Sequence, residues 1–62
     1  MIIEIRLVDG GEWYEAYIGS QMVYDCEHLD DMLEHVAPMA REHDARVTID
    51  LSGHPAYANP AA

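Results

Sequence analysis

Apolar and polar residues alternate from Ile2 to Val8, with Ile3, Ile5 and Leu7 on one side and Glu4, Arg6 and Val8 on the other. A period of two predicts a β-strand. Asp9-Gly10-Gly11-Glu12 follows, and glycines accept the positive φ that a tight hairpin turn requires. Trp13 to Ile18 then reads as the returning strand. With Gly10-Gly11 as the loop, counting places Leu7 opposite Tyr14, Ile5 opposite Ala16 and Ile3 opposite Ile18, an apolar face throughout. The other face pairs Val8 with Trp13, Arg6 with Glu15 and Glu4 with Tyr17. Opposite charges such as Arg6 and Glu15 support a register by about 0.2–1 kcal/mol. A slip of one residue would turn both sets to the wrong faces.

Gly19-Ser20-Gln21 marks a second turn, and Met22-Val23-Tyr24 a short third strand. Beyond it the period changes. Leu29, Met32, Leu33, Val36 and Ala40 recur at the spacing of one helical face, which predicts a helix from about Glu27 to His43. Asp25 is the expected N-cap, with Glu27 in the first turn where the helix dipole favours negative charge. Pro38 falls on the solvent side of this helix. Either the helix breaks at Ala37, or it continues and bends away from the proline, which is the preferred reading. Arg46 to Leu51 alternates again, with Val47, Ile49 and Leu51 facing inward, and Ser52-Gly53-His54-Pro55 ends the strand. The order β-β-(β)-α-β predicts a two-layer α+β domain over residues 1–54: a mainly antiparallel sheet of three to four strands, with one helix on one face. Residues 55–62 are expected to form a flexible tail. No segment remains to cover the opposite sheet face, so burial is modest and stability marginal without a partner.

Half of the 62 residues are apolar, which suffices for a packed core, but twelve acids face three arginines and no lysine, giving a formal charge of −9. That balance excludes direct binding of nucleic acid, which needs basic groups to displace phosphate counterions. It also disfavours an anionic membrane surface. No apolar run approaches the ~20 residues of a membrane-spanning helix, and no signal peptide is visible. The single cysteine, Cys26, cannot form an internal disulfide, so a cytoplasmic setting is expected.

Charge and pattern together single out two surfaces. Between Asp25 and Asp44 stand seven acids and one arginine. Glu27, Asp30, Asp31, Glu34 and Glu42 project to the polar side of the helix, interrupted only by Arg41. Glu27–Asp31 and Asp30–Glu34 are like-charge pairs four residues apart, each costing an isolated helix a few tenths of a kcal/mol. The bland reading is a solvated face of an acidic protein. The sharper one is a rigid array of carboxylates that imitates a nucleic-acid backbone and docks in a basic groove, with association speeded by electrostatic steering. The second surface is the open sheet face, where Trp13, Tyr17 and Val8 stand beside Glu4, Arg6, Glu15, Thr48 and Asp50. Exposed tryptophan and tyrosine are common interface anchors, so a homodimer or a second partner contact through this face is expected, unless the tail shields it. A platform for single-stranded RNA would carry the opposite charge.

The remaining chemistry is sparse. His28 and His35 flank Asp31 but match no zinc-ligand spacing, so no metal or other cofactor is expected. Cys26 lies near His28 at the predicted helix start. A helix N-terminus activates thiols, yet no orienting acid or oxyanion site is identifiable, and a small half-buried cysteine is the simpler reading. His43 is expected partly buried at the helix end, and His54 in a turn. The chain is therefore read as a non-enzyme.

Two resemblances accompany this reading. Gly10-Gly11-Glu12-Trp13 and Asp25-Cys26-Glu27-His28-Leu29-Asp30-Asp31 resemble the turn and the helix start of the small HicB-type antitoxin domain, over about two thirds of the chain. The proline-glycine-cysteine segment which that family carries before its helix is absent here. The resemblance implies a partner that neutralises a basic toxin. In size and charge the whole chain resembles phage-encoded anti-CRISPR proteins and other DNA mimics. This implies an inhibitor that binds a Cas subunit or complex in the host cytoplasm and blocks DNA access. The expected partner-binding residues are Glu27, Asp30, Asp31 and Glu34, with Glu42 secondary, and Trp13 and Tyr17 as a dimer or second contact.

Overall fold

The computed structural model describes residues 1–54; the expected tail, 55–62, lies outside the described residues. Among the described residues, four strands and one helix follow in the order β1 (Ile2–Val8), β2 (Trp13–Ile18), β3 (Gln21–Cys26), α1 (Leu29–Glu42) and β4 (Arg46–Asp50). They form one sheet in the order β3-β2-β1-β4, with the helix on one face. The pairs β1–β2 and β2–β3 are antiparallel, whereas β4 runs parallel to β1. A helix between β3 and β4 makes that parallel return possible, because parallel strands need a long crossover. The domain is thus a small two-layer α+β fold.

The β1–β2 register is the one expected from Ile3↔Ile18 through Val8↔Trp13. Gly10 and Gly11 adopt φ of 69° and 92°, and Asp9 joins them at 54°. Left-handed backbone at three successive residues closes the chain tightly, and the Glu12 N–H donates to Val8 O at 3.2 Å. Among the described residues, Ile3, Ile5, Leu7 and Ala16 from the hairpin, Cys26 from β3, and Met32 and Val36 from α1 are buried. The two helical ones are four residues apart, one stripe laid on the sheet.

Several expectations are corrected. The third strand does not stop at Tyr24. The pairs Tyr14↔Cys26 and Glu15↔Asp25 extend it, so Asp25 is held in the ladder and cannot cap the helix. The N-cap is His28, at φ −118° and ψ 137°, with no side-chain cap bond. The helix starts at Leu29, which leaves Glu27 in the connection rather than in the first turn. Its other end lies at Glu42, with His43 as C-cap, and His43 is exposed because it has passed beyond the apolar stripe. Finally, β4 ends at Asp50; Ile49 and Leu51 are 42% and 48% exposed. Ile49 lies in register with Ile5 on the helix side of the sheet. The helix packs towards β2 and β3 and leaves that margin uncovered.

The helix is continuous through the exposed Pro38, in agreement with the single-helix reading. Its end is closed by two backbone bonds: Ala45 N–H to Ala40 O at 2.8 Å and Asp44 N–H to Arg41 O at 3.3 Å. Asp44 adopts the left-handed conformation, φ 51°. This pair of bonds around a left-handed residue is the Schellman closure, with aspartate where glycine is usual.

Candidate functional site

The acidic run begins on β3 and continues into α1. Asp25 is the penultimate residue of β3, Glu27 lies in the connection, Asp30 and Asp31 form the first helical turn, and Glu34 follows one turn later. All five are exposed. Because Glu27 precedes the helix, Glu27 and Asp31 are not a helical pair; Asp30 and Glu34 are. The two aspartates in the first turn complement the positive end of the helix dipole, which offsets part of their mutual repulsion. Glu42 closes the helix eight residues beyond Glu34, roughly 12 Å along the axis at 1.5 Å per residue. The fold thus groups Glu27, Asp30, Asp31 and Glu34 and sets Glu42 apart.

Among the described residues, none of these acids forms an ion pair with an arginine. The contacts they make are weak or neutral. Glu27 Oε1 and Glu42 Oε1 each lie 4.0 Å from Nε2 of the adjacent histidine, His28 and His43. The Tyr24 hydroxyl donates a long bond, 3.4 Å, to Asp31 Oδ2, and Trp13 Nε1–H donates to Asp25 Oδ2 at 3.0 Å. Most of the negative charge here is therefore uncompensated within the described fold.

The flank of the helix nearest β3 is held by an aromatic contact. His35 stacks on Tyr24, with ring centroids 3.7 Å apart and planes 4° from parallel. Burial raises the Tyr24 hydroxyl above its usual value, and the nearby Asp31 charge raises it further. Cys26 is buried, and its Sγ–H donates to His28 O at 3.1 Å. Burial pushes the thiol up, partly opposed by a backbone hydrogen bond from His28, while the Asp31 charge raises it further. The residue favours its neutral thiol form and acts as a small core side chain.

On the open sheet face, Trp13 and Tyr17 are half-buried, held by polar neighbours. Arg6 lies opposite Glu15 in the register, but its ion pair is with Glu4: Nη2 and Nε stand 2.8 and 2.9 Å from Oε1. Two residues apart on one strand face, Glu4 and Arg6 reach each other directly. The Arg6 guanidinium also covers the Tyr17 ring at 4.1 Å, and the Tyr17 hydroxyl donates to Glu15 Oε1 at 2.7 Å. Each bond favours one protonation state: Glu4 raises Arg6, and Glu15 raises Tyr17.

Sequence reasoning did not link Asp25 to Trp13 or Tyr24 to His35. The first link was available in principle, since extending β3 places Asp25 opposite Glu15, diagonal to Trp13 on the same face. The second depends on where the helix crosses the sheet, for which local pattern carries no signal. Among the described residues, no group of three or more His, Cys, Asp or Glu side chains is arranged to hold a metal ion, and no helix is long and apolar enough to cross a membrane. An open depression of about 510 Å³ lies at the other end of the sheet, lined by Met1, Ile2, Asp44, Ala45 and Arg46. Comparison with protein families, with curated proteins and with solved structures finds no match for this chain.

Proposed function

We propose that the protein is a non-enzymatic acidic binding protein that docks the start of α1 on a basic, nucleic-acid-binding surface of a partner and competes there with DNA or RNA. The observation that supports this reading is the run Glu27, Asp30, Asp31 and Glu34, exposed and without an arginine counter-ion among the described residues. Bringing those carboxylates against a basic groove converts unscreened repulsion into attraction. It would also steer encounter at long range. Asp25 and the Trp13 indole that donates to it adjoin the run, so Trp13 can supply apolar contact at its border, with Tyr17 beyond. Glu42, about 12 Å further along the helix axis, is a secondary contact at the border of the footprint. A Cas subunit or complex is the specific partner class this reading favours, with the protein acting as an inhibitor of anti-CRISPR type.

A second reading, an antitoxin-like domain that neutralises a basic toxin, draws on the order strand, Asp-Gly-Gly turn, strand, strand, acidic helix, strand. It uses the same acidic surface and differs in the partner.

The test is capture from a nuclease-treated lysate of cells that carry the gene. Basic nucleic-acid-binding proteins should be retained and should elute with added duplex DNA. Retention of neutral or acidic proteins that DNA does not displace would overturn the reading. Recovery of a small basic toxin from the neighbouring gene would select the second.

A further inference from the structure

We propose that the outer edge of β4, which no strand pairs among the described residues, is the interface of a two-fold symmetric dimer of this chain. The strand lies at one margin of the sheet, with β1 on its inner side. The Arg46 N–H donates to Met1 O at 3.0 Å. In a parallel ladder the inward-bonding residues alternate, so Arg46, Thr48 and Asp50 turn their N–H and C=O groups to β1. Those of Val47 and Ile49 point to the open edge, ready to pair with another strand.

The sequence of β4, Arg-Val-Thr-Ile-Asp, is complementary to itself when reversed. An antiparallel copy centred on Thr48 places Arg46 opposite Asp50 of the second copy, and Asp50 opposite its Arg46. Val47 falls opposite Ile49, and Ile49 opposite Val47. These apolar pairs are the ones whose N–H and C=O groups face the edge, so they exchange four backbone hydrogen bonds across the two-fold. The charged pairs occupy the non-hydrogen-bonded sites, where side chains approach most closely. Two threonines meet on the axis. Arg46 is suited to this use, since among the described residues it has no ion-pair partner.

The helix side of the sheet agrees. Ile49 is 42% exposed although it lies in register with the buried Ile5; pairing two β4 strands brings it against apolar neighbours from the second copy. Both helices would then lie on the same face of an eight-stranded sheet. The other edge does not offer this: β3 contains no basic residue, and the β2–β3 ladder has a register shift at Ala16/Tyr17. Oligomerisation also suits a chain with so small a core.

The experiment is sedimentation equilibrium of the full chain from about 1 to about 500 µM, with far-UV circular dichroism to verify folding. The wild type should reach twice the 7.0 kDa chain mass. Arg46→Asp and Asp50→Arg should each weaken the dimer by about tenfold or more, and the double exchange should recover at least part of that loss, because it again opposes unlike charges across the two-fold although an arginine at 50 meets Arg6 and loses the Ser52 N–H bond within its own chain. Thr48→Arg sets two cations on the axis while lying beside Glu4 within its own chain, and should give a folded monomer. A wild type that stays monomeric across the range overturns the proposal and leaves the edge to a different chain. So does a dimer that ignores all three β4 variants but dissociates on Trp13→Ala, which would place the contact on the open sheet face.

Discussion

His35 of α1 lies flat against Tyr24 of β3, the ring centroids 3.7 Å apart. This contact ties the outer flank of the helix to an edge strand, beside the acidic run. Asp31, one turn before His35, receives the Tyr24 hydroxyl bond. One tyrosine thus contacts two successive turns of α1. Aromatic pairs contribute about 0.5–1.5 kcal/mol beyond their buried area. Replacing His35 with alanine should therefore cost about 1 kcal/mol in urea unfolding, whereas Glu34→Ala, on an exposed side chain, should leave stability nearly unchanged. Equal effects from the two would show that the stack does not hold the helix.

The helix C-terminus makes a prediction of the opposite sign. Asp44 stands at φ 51°, where a side chain strains the backbone and glycine does not. Asp44→Gly should raise stability by about 0.5–1 kcal/mol, and Asp44→Ala should lower it. Thermal melts of the three proteins check the order.

Alkaline pH should destabilise the fold. Burial raises Cys26, the Glu15 bond raises Tyr17, and burial with the Asp31 charge raises Tyr24. Each is neutral when protonated and ionises more readily in the unfolded chain, from ordinary values of 9.0 for the thiol and 10.0 for the phenols. Their contribution is intact below those values and is lost as pH rises through the folded-state values. The urea midpoint should hold to about pH 9 and fall above it. A midpoint that rises there would contradict the assigned environments.

The hairpin was legible because every signal in it is local: a two-residue period, a pair of glycines, and an apolar face that only one register completes. The helix was legible in its middle for the same reason, from Leu29 to Ala40. Its start was not. Asp25 satisfies the chemistry of a cap, but the ladder with Glu15 claims it first, and that competition between elements is invisible to a local pattern. The exposure of Ile49 was hidden likewise, since it depends on the helix lying towards β2 and β3. For the candidate site, the sequence placed Asp30, Asp31 and Glu34 on one exposed helix. Glu27 depended on the helix boundary and falls in the connection, whereas Glu42 keeps its place as an exposed helical residue.

Charge reversal probes recognition through those carboxylates. Asp30, Asp31 and Glu34 changed together to lysine, in a protein verified as folded, should lose about a hundredfold or more in affinity for the captured partner. Wild-type binding should itself weaken steeply between about 0.05 and about 0.3 M salt. Equal affinity for both proteins, with a flat salt dependence, would contradict recognition through the acidic helix.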